Sequence, residues 1–126
     1  MKFTVERDAL ESELQVLQGI AEKRKTIPIL SHILISAESD YLSLVATDLE
    51  VSLSTRCSAS TASRGSTTVS SKKLFEIVRS LPSVEIEMTS ESGDWLEILA
   101  GESYFRLVSL PTADFPDVPS GSFDVS

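Results

Sequence analysis

Apolar residues recur at helical spacing in two stretches of this chain, while most of the remainder alternates every second residue. That pattern limits the fold to a strand-rich body carrying a pair of helices. In the first stretch Leu10, Leu14, Leu17 and Ala21 form the stripe, Val16 and Ile20 widen it, and Glu11, Glu13, Gln15 and Gln18 face away. Arg7 or Asp8 opens it, and an aspartate there can cap the free amides of a first turn. Lys23, Arg24 and Lys25 close it, where cations meet the negative end of the helix dipole. In the second stretch Ser71 is expected to cap a helix whose stripe is Leu74, Phe75, Val78 and Leu81, ended by Pro82.

Strands fill the rest. Lys2 to Glu6 alternates around Phe3 and Val5, and Ile29 to Ala37 is rich in β-branched and aliphatic residues. Glu38-Ser39-Asp40 turns into Tyr41 to Thr47. Leu49, Val51 and Leu53 alternate with Glu50, Ser52 and Ser54 as a half-buried strand, and Ser58 to Ser66 reads as a mobile loop. Thr67 to Val69, Val84 to Met88, Trp95 to Ala100 and Tyr104 to Val108 complete the set, with Gly93 and Gly101 in turns. The order β-α-β-β-β-β-α-β-β-β predicts an α+β domain with two helices on one side of antiparallel sheets of about eight strands. Its second half repeats the element order of its first, so internal repetition is expected at the level of topology.

After Leu110 the pattern stops. Prolines at 111, 116 and 119 forbid a regular helix and favour an extended run, which Phe115 can dock onto the body. The expected division is a domain at 1–110, then an interdomain linker and the truncated start of a further domain at 111–126. On this reading the chain is the first domain of something longer.

A chain of 126 residues holds one domain that buries roughly two-thirds of its unfolded surface. Its apolar runs are only a few residues long, so no membrane span is expected. The charged start Met1 to Arg7 lacks a signal-peptide stretch, and the lone Cys57 suits a reducing cytoplasm, so a cytoplasmic location is expected. With Cys57 and the single His32, a zinc site built from Cys and His alone is out of reach, and neither metal nor cofactor is expected.

Net charge is −8, which argues against nucleic acid until the distribution is considered. Six of the eleven basic residues fall in two segments, Lys23 to Lys25 and Lys72, Lys73 and Arg79, whereas Pro82 to Ser103 holds six acids and no base. Such a body would repel DNA generally and tolerate it on one face. On charge alone, solvated helix ends are the preferred account of the lysines.

Five pieces in register carry a resemblance. They are Met1 to Arg7, Ile27 to Leu30, Ala46-Thr47-Asp48-Leu49-Glu50, Thr67-Thr68-Val69 running into Lys73 to Ile77, and Leu110 to Pro116. Together they resemble the N-terminal domain of the bacterial sliding-clamp family, the beta subunit of DNA polymerase III, over nearly the whole chain. The resemblance implies a DNA-clamp fold and a ring of two protomers, each of three such domains. The ring encircles double-stranded DNA without regard to sequence and confers processivity on the replicative polymerase. It further implies that polymerase and clamp loader bind through domains outside this sequence.

Residue by residue, the resemblance places Arg24 near DNA, with Lys72 and Arg79 as further candidates and Lys23 and Lys25 as weaker ones. It assigns Lys73, Ile77, Phe105 and Leu107 to a dimer seam, where an edge strand pairs head to tail with the other protomer. For Phe105, plain core packing explains the residue as well as the seam does. The sequence departs from the family pattern near Glu102 and Tyr104, where basic side chains are usual.

Catalytic readings are weaker. Asp48 and Glu50 share a strand face but lack a companion base, so Asp48 is read as a turn or hydrogen-bonding residue. His32 is read as a satisfied core or edge histidine, and Cys57 as a buried, inert thiol. The expected function is a non-catalytic processivity subunit. The alternative is a stand-alone acidic interaction module that binds another protein along a strand edge and never meets DNA.

Overall fold

A computed structural model of the chain describes residues 1–21, 28–82, 84–91 and 94–116, with Ala21 and Pro28 described by their backbone alone. Eight strands and two helices follow one another: β1 (Lys2–Glu6), α1 (Arg7–Ala21), β2 (His32–Ala37), β3 (Tyr41–Thr47), β4 (Ser52–Ser63), β5 (Gly65–Ser70), α2 (Ser71–Ser80), β6 (Glu85–Thr89), β7 (Trp95–Ala100) and β8 (Ser103–Leu110). Every ladder is antiparallel. The strands close into a ring in the order β1-β4-β3-β2-β5-β8-β7-β6.

The ring is two copies of one motif. In each half the first strand leads into a helix and then pairs with the last strand of a three-strand meander, β1 with β4 and β5 with β8. The halves join through β2–β5 and β1–β6. The repeated element order is therefore a repeat in pairing as well.

One apolar cluster holds the molecule together. Phe3 and Val5 of β1, Leu10, Leu14 and Leu17 of α1, Leu74 and Val78 of α2, and Ile86, Met88, Leu96 and Ile98 of the second meander are all buried in it. Residue i+4 on a helix and residue i+2 on a strand return to the same face, so each element contributes one side to this cluster. The helices pack against each other, and the Ser71 hydroxyl donates to the Gln18 amide oxygen at 2.6 Å.

Several expectations change. Val16, placed on the α1 stripe, is 56% exposed: it lies one position before Leu17 and points a third of a turn away. The helix begins at Arg7 with Asp8 in its first turn. The cap of α2 is Ser70, whose hydroxyl accepts from the Lys73 amide, while Ser71 is buried as the first helical residue. Residues Pro28–Ser31 form a 3-10 turn, so β2 begins at His32.

The largest change lies between β3 and β4. Leu49 and Val51 are exposed on a hairpin turn, and Leu49 has a φ of 78°. The buried Asp48 carboxylate accepts from the amides of Glu50 (3.0 Å) and Val51 (2.8 Å). Asp48 is thus the turn residue it was expected to be. The segment expected as a loop at 58–66 is instead mostly strand: Ser58 pairs with Tyr41, and Ala59, Ser60, Thr61 and Ser63 pair with β1 across a bulge. Gly65 opens β5 where an added Cβ would sit 2.9 Å from Met1 Cβ, so the close approach of the N-terminus requires glycine.

After β8 the chain makes a 3-10 turn at Thr112–Asp114, and Phe115 is buried. Pro111 and Phe115 keep the extended backbone expected of a proline-rich run, and the turn interrupts it. Gly93 and Pro119 lie outside the described residues.

Candidate nucleic-acid interface and strand edge

α2 carries the basic face among the described residues. Leu74 and Val78 turn inward, which leaves Lys72, Glu76 and Arg79 on the solvent side. Lys72 and Arg79 stand two turns apart, about 10 Å along the axis. The Arg79 guanidinium rests over the Phe75 ring at 5.5 Å, which orders the stem while its charge stays in water. Lys73 is exposed on the neighbouring flank, beside the half-buried Ile77.

α1 does not match this over its described length. It holds Asp8, Glu11 and Glu13 against a single base, Arg7, whose guanidinium pairs with Asp8 and Glu11, each at 3.0 Å. Lys23, Arg24 and Lys25 lie outside the described residues.

The second feature is an edge. β8 pairs with β7 from Ser103 to Val108, but its other side meets β5 only at Ser109 and Leu110. Backbone groups of Ser103 to Val108 on that side have no ladder partner among the described residues, because β5 ends at Ser70 and the chain rises into α2. Leu107 is buried, and Phe105 packs against the core cluster, as does Ile77. Phe105 thus serves the core while its backbone lies on an open edge. Beside it the Tyr104 hydroxyl donates to Glu97 at 3.0 Å, and partial desolvation, followed by that carboxylate, pushes its pKa up.

The two other singled-out residues sit inside the fold. His32 is buried, and its Nδ1 lies 3.3 Å from the Thr68 hydroxyl, which donates to the Leu110 carbonyl. Burial holds its pKa below the ordinary value. Cys57 lies within β4, where burial pushes its thiol up to about 11 and the Glu13 and Glu6 carboxylates add to the effect. Neither forms part of a cluster: the described residues contain no group of three metal-ligating side chains. None of their helices is long and apolar enough to cross a membrane.

Sequence reasoning missed the role of Arg7, which holds the far end of α2: its Nε and Nη2 donate to the carbonyls of Val78 and Arg79. No local signal marks it, since the partners are more than 70 positions away.

Residues 1–119 match the family model described as DNA polymerase III beta subunit, N-terminal domain. The chain is 43% identical over 123 residues to the beta sliding clamp of Pseudomonas aeruginosa, covering 96% of this chain and 33% of that protein. It is 46% identical over 122 residues to the beta sliding clamp of Caulobacter vibrioides, covering 95% and 33%. Among solved structures, the Caulobacter crescentus pol III beta superposes with a TM-score of 0.89 at 43% identity, over 95% of this chain and 32% of that one. The Helicobacter pylori beta clamp bound to a DNA ligase peptide gives a TM-score of 0.89 at 29% identity, over 94% and 33%. The chain spans about a third of the length of the curated relatives it matches. By sequence and by fold alike, it belongs to the DNA polymerase III beta subunit family and corresponds to its N-terminal domain.

Proposed function

We propose that this chain acts as the first domain of a ring-shaped clamp that encircles duplex DNA and keeps the replicative polymerase on its template. The observation that carries the reading is the separation of charge. Lys72, Lys73 and Arg79 are exposed on α2, while the acids of the Pro82 to Ser103 stretch lie on the strand layer and its turns. A ring that slides needs positive potential near phosphates and few contacts to base edges. On this reading Arg24, with Lys23 and Lys25, joins the residues that face DNA, as the resemblance implies. The domain contributes topology, not catalysis; nucleotidyl transfer belongs to the polymerase it tethers in the cytoplasm.

The domain boundary belongs to the same proposal: 1–110 as the clamp domain and 111–126 as linker and the opening of the next. So does the seam, in which the free edge of β8, with Lys73, Ile77, Phe105 and Leu107 around it, takes a strand from another protomer head to tail. Polymerase and clamp loader would bind elsewhere in the full-length ring. Family membership gives no support to the stand-alone interaction module.

The test is charge reversal in the full-length protein. Arg24→Glu, Lys72→Glu and Arg79→Glu together should shorten retention on nicked circular DNA. They should also lower the salt dependence of retention, by roughly one unit of slope for each phosphate that is no longer neutralised. Unchanged retention and slope at physiological salt would remove the inner-surface assignment. The seam is tested separately: Lys73→Glu, at an exposed position, should shift the full-length ring toward protomers in light scattering. The 126-residue chain alone should be mainly monomeric at micromolar concentration, and a stable dimer would contradict the seam.

A further inference from the structure

Four of the eight large apolar side chains exposed among the described residues sit together on one sheet face: Trp95, Leu99, Tyr104 and Val108. The register makes them neighbours. Trp95 lies across from Val108, Glu97 from Arg106 and Leu99 from Tyr104. All six point outward, because Leu96 and Ile98 of β7 and Leu107 of β8 point into the core. Single exposed apolar residues are ordinary on a surface, whereas a contiguous group of this kind marks an interaction site.

Charge surrounds the group. Glu87 of β6 lies across from Leu99, and Glu91 and Glu102 sit in the adjoining turns. None of these three has an ion-pair partner among the described residues. Arg106 is the lone base in the group, and its guanidinium already covers the Trp95 ring at 4.3 Å. Between Thr89, Glu91, Trp95, Glu97 and Arg106 opens a cavity of about 150 Å³. Glu91 and Glu97 line it together with Arg106, so a base entering it meets two carboxylates against one resident guanidinium.

Along β7 the cross-strand rows read apolar, charged, apolar, each two residues from the next. An extended polypeptide repeats its side chains on one face at the same interval, about 6.7 Å. We propose that this outward face of β6, β7 and β8 docks an extended cationic segment of a partner protein, with apolar, basic and apolar side chains at positions i, i+2 and i+4. The basic group enters the cavity between Glu91 and Glu97, and the apolar groups cover Leu99 with Tyr104 and Trp95 with Val108. The acid rim disfavours DNA here. The proposal does not rest on the clamp reading, since it concerns a face that points away from the helices.

Trp95 is the single tryptophan of the chain and reports on the site by its fluorescence. The probe is a capped synthetic peptide, Lys-Leu-Ser-Arg-Ser-Leu-Lys. The expected result is a saturable, salt-sensitive change in Trp95 emission. It should be absent with the peptide carrying Glu in place of the central Arg, and with the shifted order Lys-Leu-Arg-Ser-Ser-Leu-Lys. Glu97→Lys should weaken binding roughly tenfold, the scale of one charge-assisted hydrogen bond. Glu91→Lys, in a turn and free of any strand role, should act in the same direction. Asp40→Lys, on the β2–β3 turn, should leave affinity unchanged. No saturable change, an equal response to either control peptide, or an equal weakening with Asp40→Lys would overturn the proposal. So would concentration-dependent self-association abolished by Tyr104→Ser, which would make the occupant a second copy of the chain.

Discussion

Arg7 clamps the C-terminal end of α2: its Nε donates to the Val78 carbonyl at 3.0 Å and its Nη2 to the Arg79 carbonyl at 2.8 Å. The last carbonyls of a helix lack i+4 donors; the Val78 carbonyl also accepts from the Leu81 amide at 3.2 Å, and the guanidinium adds a donor there and at Arg79 while its charge meets the negative end of the dipole. Asp8 and Glu11 hold the same guanidinium in place. The first residue of α1 thus fixes the end of the helix that carries Lys72 and Arg79.

Arg7→Ala should therefore lower stability by about 2 kcal/mol, the scale of charged hydrogen bonds removed together, measured by urea unfolding. Arg7→Lys should recover only part of this, because an ammonium cannot present the planar fork that reaches both carbonyls. Full recovery by lysine would mean that charge alone matters at this helix end.

His32 predicts a pH dependence. Burial lowers its pKa in the folded protein below the ordinary value of 6.5. Between those two values the unfolded chain binds a proton that the folded chain does not, so unfolding is favoured as pH falls. The His32 contribution is fully present above the unfolded value. It is lost as pH drops from 6.5 through the lower folded value. Urea midpoints should fall between about pH 7.5 and about pH 5.5, and His32→Gln should flatten that slope. An unchanged slope in the variant would assign the dependence to carboxylates.

The β3–β4 turn carries two opposed effects. Asp48→Ala removes the acceptor for two turn amides and should cost about 1–2 kcal/mol. Leu49 at a φ of 78° occupies a region that asparagine tolerates better than leucine. Leu49→Asn should stabilise by about 0.5–1 kcal/mol, read as a raised melting temperature. Leu49 is exposed, so the exchange sacrifices no packing.

Cys57 should react slowly. With its thiol pushed up to about 11, well under about 1% is thiolate at neutral pH, and thiolate is the reactive form. Iodoacetamide should label the native chain far more slowly than the urea-unfolded chain. Equal rates would show that β4 opens readily next to its serine-rich half.

Much of the fold was legible from local pattern. β3 and β7 start and stop where the alternation does, and Leu10, Leu14 and Leu17 are buried as their spacing requires. The exposure of Lys72 and Arg79 follows from their seven-residue separation opposite Leu74 and Val78. The family resemblance, read from five short pieces, agrees with the match over residues 1–119. The errors share a cause. Ser58 to Ser63 has the composition of a loop, yet β3 and β1 supply its ladder partners from distant parts of the chain. Leu49 and Val51 have the composition of a strand, yet the Asp48 carboxylate bends the backbone beneath them.

The sequence by itself determined the number, kind and order of the elements, because helix and strand periods are set by neighbours three, four or two residues apart. It also determined where charge lies along the chain. Only the tertiary structure decided that the strands close into a ring, that β8 keeps an open edge from Ser103 to Val108, and that Trp95, Leu99, Tyr104 and Val108 share a face. Strand pairing joins backbone groups far apart in sequence and is indifferent to most side chains. No local window therefore reports which edge will be taken and which left free.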